Sequence, residues 1–247
     1  MVCTWLFNFW NSFSKKWKVL VRDGRFIISF IVGIILFAGG QTFLMFVCQY
    51  NDTFPTTAVG DLILDNIPTY NLNFLFTWGL AAIMLVIVFY CIFVRPELLP
   101  WSLKTYGIFA IVRAGFIVLT HIGSPSDMFY FVNPHITQNV TFQQIFFLND
   151  LFFSGHVGNP FLAFLIFRHF KFKWFCLIGS ILMAITVLFM HVHYSIDVFG
   201  AYFVTYGIYA FSDSIFHGLN ERFKKLIEGH SDIRFKPSYS PESLKGD

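Results

Sequence analysis

Apolar positions along this chain neither alternate nor recur against a polar face; they come in long runs. Six runs follow one another, approximately Phe26–Val47, Phe74–Val94, Tyr106–Thr120, Leu151–Phe167, Trp174–Met190 and Val198–Phe216. A helix that crosses the hydrocarbon core of a bilayer needs about 20 predominantly apolar residues. The first, second and sixth runs meet that length. The third, fourth and fifth are shorter or carry polar residues, which predicts that they line a polar cavity. Gly158-Asn159-Pro160 predicts a kink in the fourth, because proline removes an intrahelical hydrogen bond. The pattern predicts an all-α membrane protein with six transmembrane helices in one domain, residues 26–218.

The flanks differ from the runs. Residues 1–25 hold Trp5, Leu6, Phe7, Phe9, Trp10, Phe13 and Trp17 beside Lys15, Lys16, Lys18, Arg22 and Arg25. The apolar part is too short for a signal peptide and its flanks do not fit one. An amphipathic helix lying in the membrane interface fits better. Residues 219–247 form a polar tail, most clearly from Ser231 onward.

Charge orients the runs. Of the 17 Lys and Arg residues, all but Arg113 lie before the first run, after the sixth, or in the second-to-third and fourth-to-fifth connections. The other connections, Cys48–Asn73, His121–Asp150 and His191–Asp197, contain none. By the positive-inside rule both termini are cytoplasmic. Composition agrees with a membrane location: 56% of residues are hydrophobic and 13% are charged, against about 25% charged in soluble domains. The basic residues form small clusters between apolar runs, which argues against a nucleic-acid partner. Cys3, Cys48, Cys91 and Cys176 form no CxxC pair; they are expected to be apolar packing residues.

On this topology two polar stretches meet on the non-cytoplasmic side. One is His191-Val192-His193-Tyr194-Ser195-Ile196-Asp197; the other is Asp150-Leu151-Phe152-Phe153-Ser154-Gly155-His156. His193 and Asp197 are four apart and would share a helix face. The carboxylate can then hold the imidazole in one tautomer and stabilise its charged form. Arg113 falls roughly 12 Å below the outer end of the third helix, eight residues before His121. A lone intramembrane arginine is a functional-site candidate unless a buried acid pairs with it. Asp150 suits a helix N-cap and the site alike. Ser154 suits phosphate binding or helix capping.

Two histidines, an aspartate and a buried arginine suit phosphoryl transfer without a cofactor or metal. The guanidinium binds phosphate oxygens, one imidazole attacks phosphorus and the other protonates the leaving oxygen. A metal pair at His191 and His193 is disfavoured, since alternate residues diverge on a helix. His121 and His135 are expected on the outer surface. Asn51-Asp52-Thr53 and Asn139-Val140-Thr141 are sequons in outer loops.

These residues resemble the sphingomyelin synthase family, a branch of the type 2 phosphatidic acid phosphatase superfamily. The matching pieces are Asp150-Leu-Phe-Phe-Ser-Gly-His156 and His193-Tyr-Ser-Ile-Asp-Val198 followed by Ala201-Tyr202. Gly60-Asp61-Leu62-Ile63-Leu64-Asp65, and Val112-Arg113 ahead of Leu119-Thr120 and Ser124-Pro125-Ser126, match more weakly. The chain departs from the family pattern at Leu148-Asn149, Val157 and Thr57-Ala58-Val59. The resemblance implies six spans and a site on the exoplasmic or lumenal face. It implies His193 as nucleophile, Asp197 as its activator and His156 at the leaving group and acceptor, with Arg113 and Asp150 near the site. A phosphocholine or phosphoethanolamine group would pass from a glycerophospholipid to ceramide or a similar lipid alcohol. The expected partners are therefore the donor, the acceptor and the bilayer; a homo-oligomer is left open. So is the membrane: plasma membrane, Golgi, endoplasmic reticulum or bacterial inner membrane. A lipid-phosphate phosphatase or phospholipase-C-like hydrolase would use the same residues, and a non-enzymatic anion binder or transporter is the third alternative.

Overall fold

A computed structural model describes residues 2–54, 56–128 and 150–230, with side chains from residue 9 onward. Every regular element among them is helical: α1 (Val2–Val21), α2 (Gly24–Asn51), α3 (Leu75–Val94), α4 (Leu99–Leu119, entered through a 3-10 turn at Pro96–Leu98), α5 (Gly155–Ile166), α6 (Lys173–Phe189) and α7 (Ser195–Gly229). His135, the sequon at Asn139 and the tail from Ser231 lie outside the described residues.

Among the described residues three helices are long and apolar enough to cross a membrane: α2, α3 and the stretch Pro96–Leu119. This changes the expected ranking. The third run extends upstream into a full-length helix, so Lys104 lies inside α4 rather than in a connection. The helices of the fourth and fifth runs are apolar but shorter. The sixth run sits in a 35-residue helix that is not among the three, because Asp197, Asp213, Tyr202, Tyr206 and Tyr209 dilute its apolar character. That helix also runs on to Gly229, well into the stretch expected as a polar tail. Pro160 stays within α5.

Local chemistry sets the helix ends. Asp23 caps α2, its carboxylate accepting the N–H groups of Arg25 and Phe26 at 2.8 and 3.2 Å, which satisfies donors no helical carbonyl can reach. The Asp23 carboxyl also pairs with Arg222 of α7 at 2.7 Å. That bond, with those from Arg25 and Phe26, holds it below the usual carboxylate range. α1 packs Leu20 against Phe26 and Phe223. It reaches the end of α3 by hydrogen bonds from Lys16 Nζ to the Val94 carbonyl and from Trp17 Nε1 to that of Ile92.

The longest interface joins α2 to α4, where glycines let two backbones touch. A Cβ on Gly40 would lie 2.6 Å from the Gly107 carbonyl oxygen, and one on Gly107 2.6 Å from that of Leu36. Nearby, Lys104 is buried, donates to Ser29 Oγ at 2.6 Å and lies over the Phe216 ring. α4, α5, α6 and α7 enclose the main apolar core, built on Phe109, Phe153, Val157, Leu162, Met183, Val187 and Ile208.

Candidate functional site: two histidine motifs joined through a backbone bond

The chain enters the site from the end of α6. The N–H of His191 bonds to the Leu188 carbonyl and that of Val192 to Val187, a Schellman closure whose left-handed position usually carries glycine. His191 occupies it instead, at φ 52°. Its Nδ1 meets Thr69 Oγ1 at 3.3 Å. Its Nε2 is sealed in the interior with no partner among the described residues. His191 is thereby turned away from its neighbour but one.

His193 and Asp197 do meet, although not along a helix face. α7 begins only at Ser195, with Tyr194 extended at its N-cap (φ −67°, ψ 157°). Asp197 is the third residue of the helix and reaches back. One oxygen, Oδ2, accepts the Tyr194 N–H at 3.1 Å and faces His193 Nδ1 at 3.3 Å. Asp197 is 0% exposed and His193 5%. A carboxylate on Nδ1 fixes the proton there and leaves Nε2 with the lone pair. That Nε2 is neither sealed nor hydrogen-bonded among the described residues. Asp197 Oδ1 is sealed and has no partner among the described residues.

The second motif is anchored to the first. The Ser154 N–H donates to the Asp197 carbonyl at 3.0 Å. Just upstream, Phe152 and Phe153 hold φ of 80° and 40°, a strained region for bulky residues that persists only where surroundings enforce it. Ser154 takes the N-cap position of α5 without making a capping bond; its Oγ is buried and has no partner among the described residues. His156 follows in the first turn. Its ring stacks on Phe76 at 3.8 Å, with 20° between the planes. His156 is half-buried and within electrostatic reach of both His193 and Arg113.

Arg113 lies beneath this turn, 5% exposed. α4 ends at Leu119, so the guanidinium-bearing residue is about 9 Å below that end rather than 12 Å. It pairs with Asp150 at 2.7 Å through Nη2, and Nε donates to the Phe153 carbonyl at 3.2 Å. Gly155 makes this possible: a Cβ there would stand 3.2 Å from Arg113 Cζ. Asp150 is therefore not a helix cap; it is the acid that neutralises Arg113, and it also accepts from Cys48 Sγ at 3.6 Å. Nη1 has no partner among the described residues. No family model, curated protein or solved structure matches the chain. What can be said of the site comes from its own geometry.

Several residues that hold the site carry no periodic signal in the sequence. Asp61 accepts the N–H groups of Ile63 and Leu64 with one oxygen and that of Ser195, the first residue of α7, at 2.6 Å with the other. Burial pushes its carboxyl up, but the bonds from Ser195, Leu64 and Ile63 outweigh that and hold it below the ordinary range. The Tyr194 hydroxyl donates to the Gly123 carbonyl at 2.8 Å and accepts the Val59 N–H at 3.0 Å. Thr57 and Ile122 form a parallel bridge, and the Tyr70 N–H bonds to Phe189 O at 2.7 Å. The loop between α2 and α3 is thus tied to the α6–α7 turn along its length. Asp61 belongs to a motif visible in the sequence; the partners of Tyr194 do not.

His191 and His193 face different partners, and no group of three or more His, Cys, Asp or Glu among the described residues is placed to hold a metal ion. Asn51 of the first sequon is 0% exposed and closed to a glycosylating enzyme. His121 is exposed and packs on Phe54. Cys48, Cys91 and Cys176 are free and buried.

Proposed function

We propose that the chain is an integral-membrane lipid phosphotransferase of the sphingomyelin synthase type. It has six spans, cytoplasmic termini and an exoplasmic or lumenal site. It moves a phosphocholine or phosphoethanolamine group from a glycerophospholipid to ceramide or a similar lipid alcohol. The observation that carries this reading is the buried His193–Asp197 pair with its unpartnered Nε2, bonded through Asp197 to the start of α5.

His193 Nε2 attacks phosphorus while the bond from phosphorus to the diacylglycerol oxygen breaks. His156 gives that oxygen its proton, and diacylglycerol leaves. The imidazolium that forms on His193 is stabilised by Asp197. Neutral His156 then takes the proton of the acceptor hydroxyl, whose oxygen attacks phosphorus and frees His193. Arg113 Nη1, the Ser154 hydroxyl and the N-terminal N–H groups of α5 serve the phosphate oxygens. Substitution of water for the lipid alcohol gives a hydrolase, which is the second reading because the same atoms perform it.

The test supplies purified protein with phosphatidylcholine or phosphatidylethanolamine labelled in the head group, with and without ceramide. Labelled sphingolipid formed by wild type and absent with His193→Ala supports transfer. Release of labelled head group without acceptor, and no sphingolipid, supports hydrolysis. Turnover that survives in His193→Ala overturns both.

A further inference from the structure

The loop before α3 is pinned to the site. The α2–α3 loop is tied to Ser195, Tyr194, His191 and Phe189, and Asp197 and His193 are buried beneath it. A lipid whose tails stay in the bilayer arrives from the side. On the α3 side the face of His156 is covered by the near-parallel ring of Phe76, itself buried. On the same helix Phe74 and Trp78, two residues either way, are exposed. The ring in contact with the imidazole on this side is that of Phe76.

The backbone that carries this ring is unusual. Leu75–Gly79 is a π-helical turn that continues into the α-helical body Leu80–Phe89. Such turns hold one residue more than an α-turn and lie frequently at functional sites. If the extra residue is absorbed into α-helix, the residues before it rotate by about 100° around the axis, the α-helical step per residue. Phe76 would then leave His156.

We propose that Phe76 on its π-turn is the gate through which lipid substrate reaches His156, entering between α3 and α5. The closed state is the stacked one. The proposal rests on the lipid-phosphotransferase reading, but its test does not need turnover. Full-length protein in phosphatidylcholine nanodiscs is treated with diethylpyrocarbonate, and carbethoxylation of each histidine is followed by peptide mass spectrometry. Exposed His217 and His230 serve as internal standards. His156 is expected to react slowly in wild type. In Phe76→Leu, which keeps apolar bulk and removes the stack, its rate rises about three- to tenfold relative to the standards, the range that loss of one aromatic stack gives.

A variant lacking Thr77 takes out the extra residue of the π-turn and is expected to show the same rise. It stands in for Phe76→Leu should that variant fail to melt cooperatively. Unchanged His156 labelling in the folded variants, or rapid labelling already in wild type, overturns the gate. Absence of lipid turnover in wild type removes the proposed function and leaves the labelling comparison standing. With turnover present, Phe76→Leu is expected to change KM for the phospholipid donor more than kcat; the opposite split contradicts an access role.

Discussion

Replacing Asp197 with asparagine tests the pairing at the centre of the site. The side chain keeps its shape and can still accept the Tyr194 N–H, so the cap of α7 survives. What disappears is a full negative charge 3.3 Å from His193 Nδ1. At an effective dielectric of about 20, opposite unit charges at this separation attract by roughly 5 kcal/mol. That attraction acts only when His193 carries positive charge, in the transition state and the intermediate, and not on the neutral resting imidazole. At 1.36 kcal/mol per decade, retention of even four-fifths of it predicts a fall in kcat of about 10³-fold. With its oxygen kept toward the Tyr194 N–H, the same oxygen still faces Nδ1, so the tautomer of His193 is retained and only the charge is lost. The assay is transfer of labelled head group to ceramide in detergent micelles, with thermal unfolding followed on the same samples. A melting temperature within a few degrees of wild type, with the rate down about 10³-fold, fits the account. A folded variant that retains more than about a tenth of wild-type kcat refutes the argument that Asp197 stabilises charge on His193.

Other expected outcomes follow from the surrounding contacts. Arg113→Lys replaces a planar fork bonded to Asp150 and Phe153 by a single ammonium, and the transfer rate should fall at least about tenfold, the size of one lost charge-assisted bond in the transition state. Asp61→Ala leaves three backbone N–H groups without their acceptor and should destabilise the protein by about 1–3 kcal/mol, measured as a drop in melting temperature. Because the folded-state Asp61 carboxyl is held below its ordinary value, its stabilisation is present above the unfolded carboxyl value of about 3.9 and is lost as pH falls through the folded one; Asp61→Asn should therefore flatten the acid limb of a stability-against-pH curve by lowering its neutral-to-alkaline points, while the two curves converge at acid pH. Gly107→Val places a side chain against the Leu36 carbonyl and should lower the unfolding temperature by overpacking worth about 1–3 kcal/mol or more, whereas valine at Gly39, which has open space, should cost far less.

The helical class is legible because long apolar runs that neither alternate nor break suit helices, and the same signal placed most of the helices. It misjudged the ends. Lys104 reads as a loop cation but is held inside α4 by Ser29 and the Phe216 ring, compensation that hydropathy does not register. The spacing of His193 and Asp197 pointed to their contact for the wrong reason: an i,i+4 helical pair was expected, and a carboxylate reaching back across a helix start was found. Arg113 was visible as an anomaly, but its partner was not, since Asp150 sits 37 residues away in a stretch that also suits a cap. The ties made by Asp61 and Tyr194 join loops with no periodicity, so only three-dimensional proximity reveals them. The π-turn under Phe76 lies within a run whose composition suits an ordinary α-helix equally well.

The most direct measurement is chemical trapping of the intermediate. Protein mixed with phosphatidylcholine labelled in phosphorus is quenched in alkali within one turnover, digested and mapped by mass spectrometry. The account predicts a phosphocholine group on His193 of wild type, carried at Nε2, and none on His193→Gln. Label on His156 or Ser154 instead, or label that persists in His193→Gln, contradicts it.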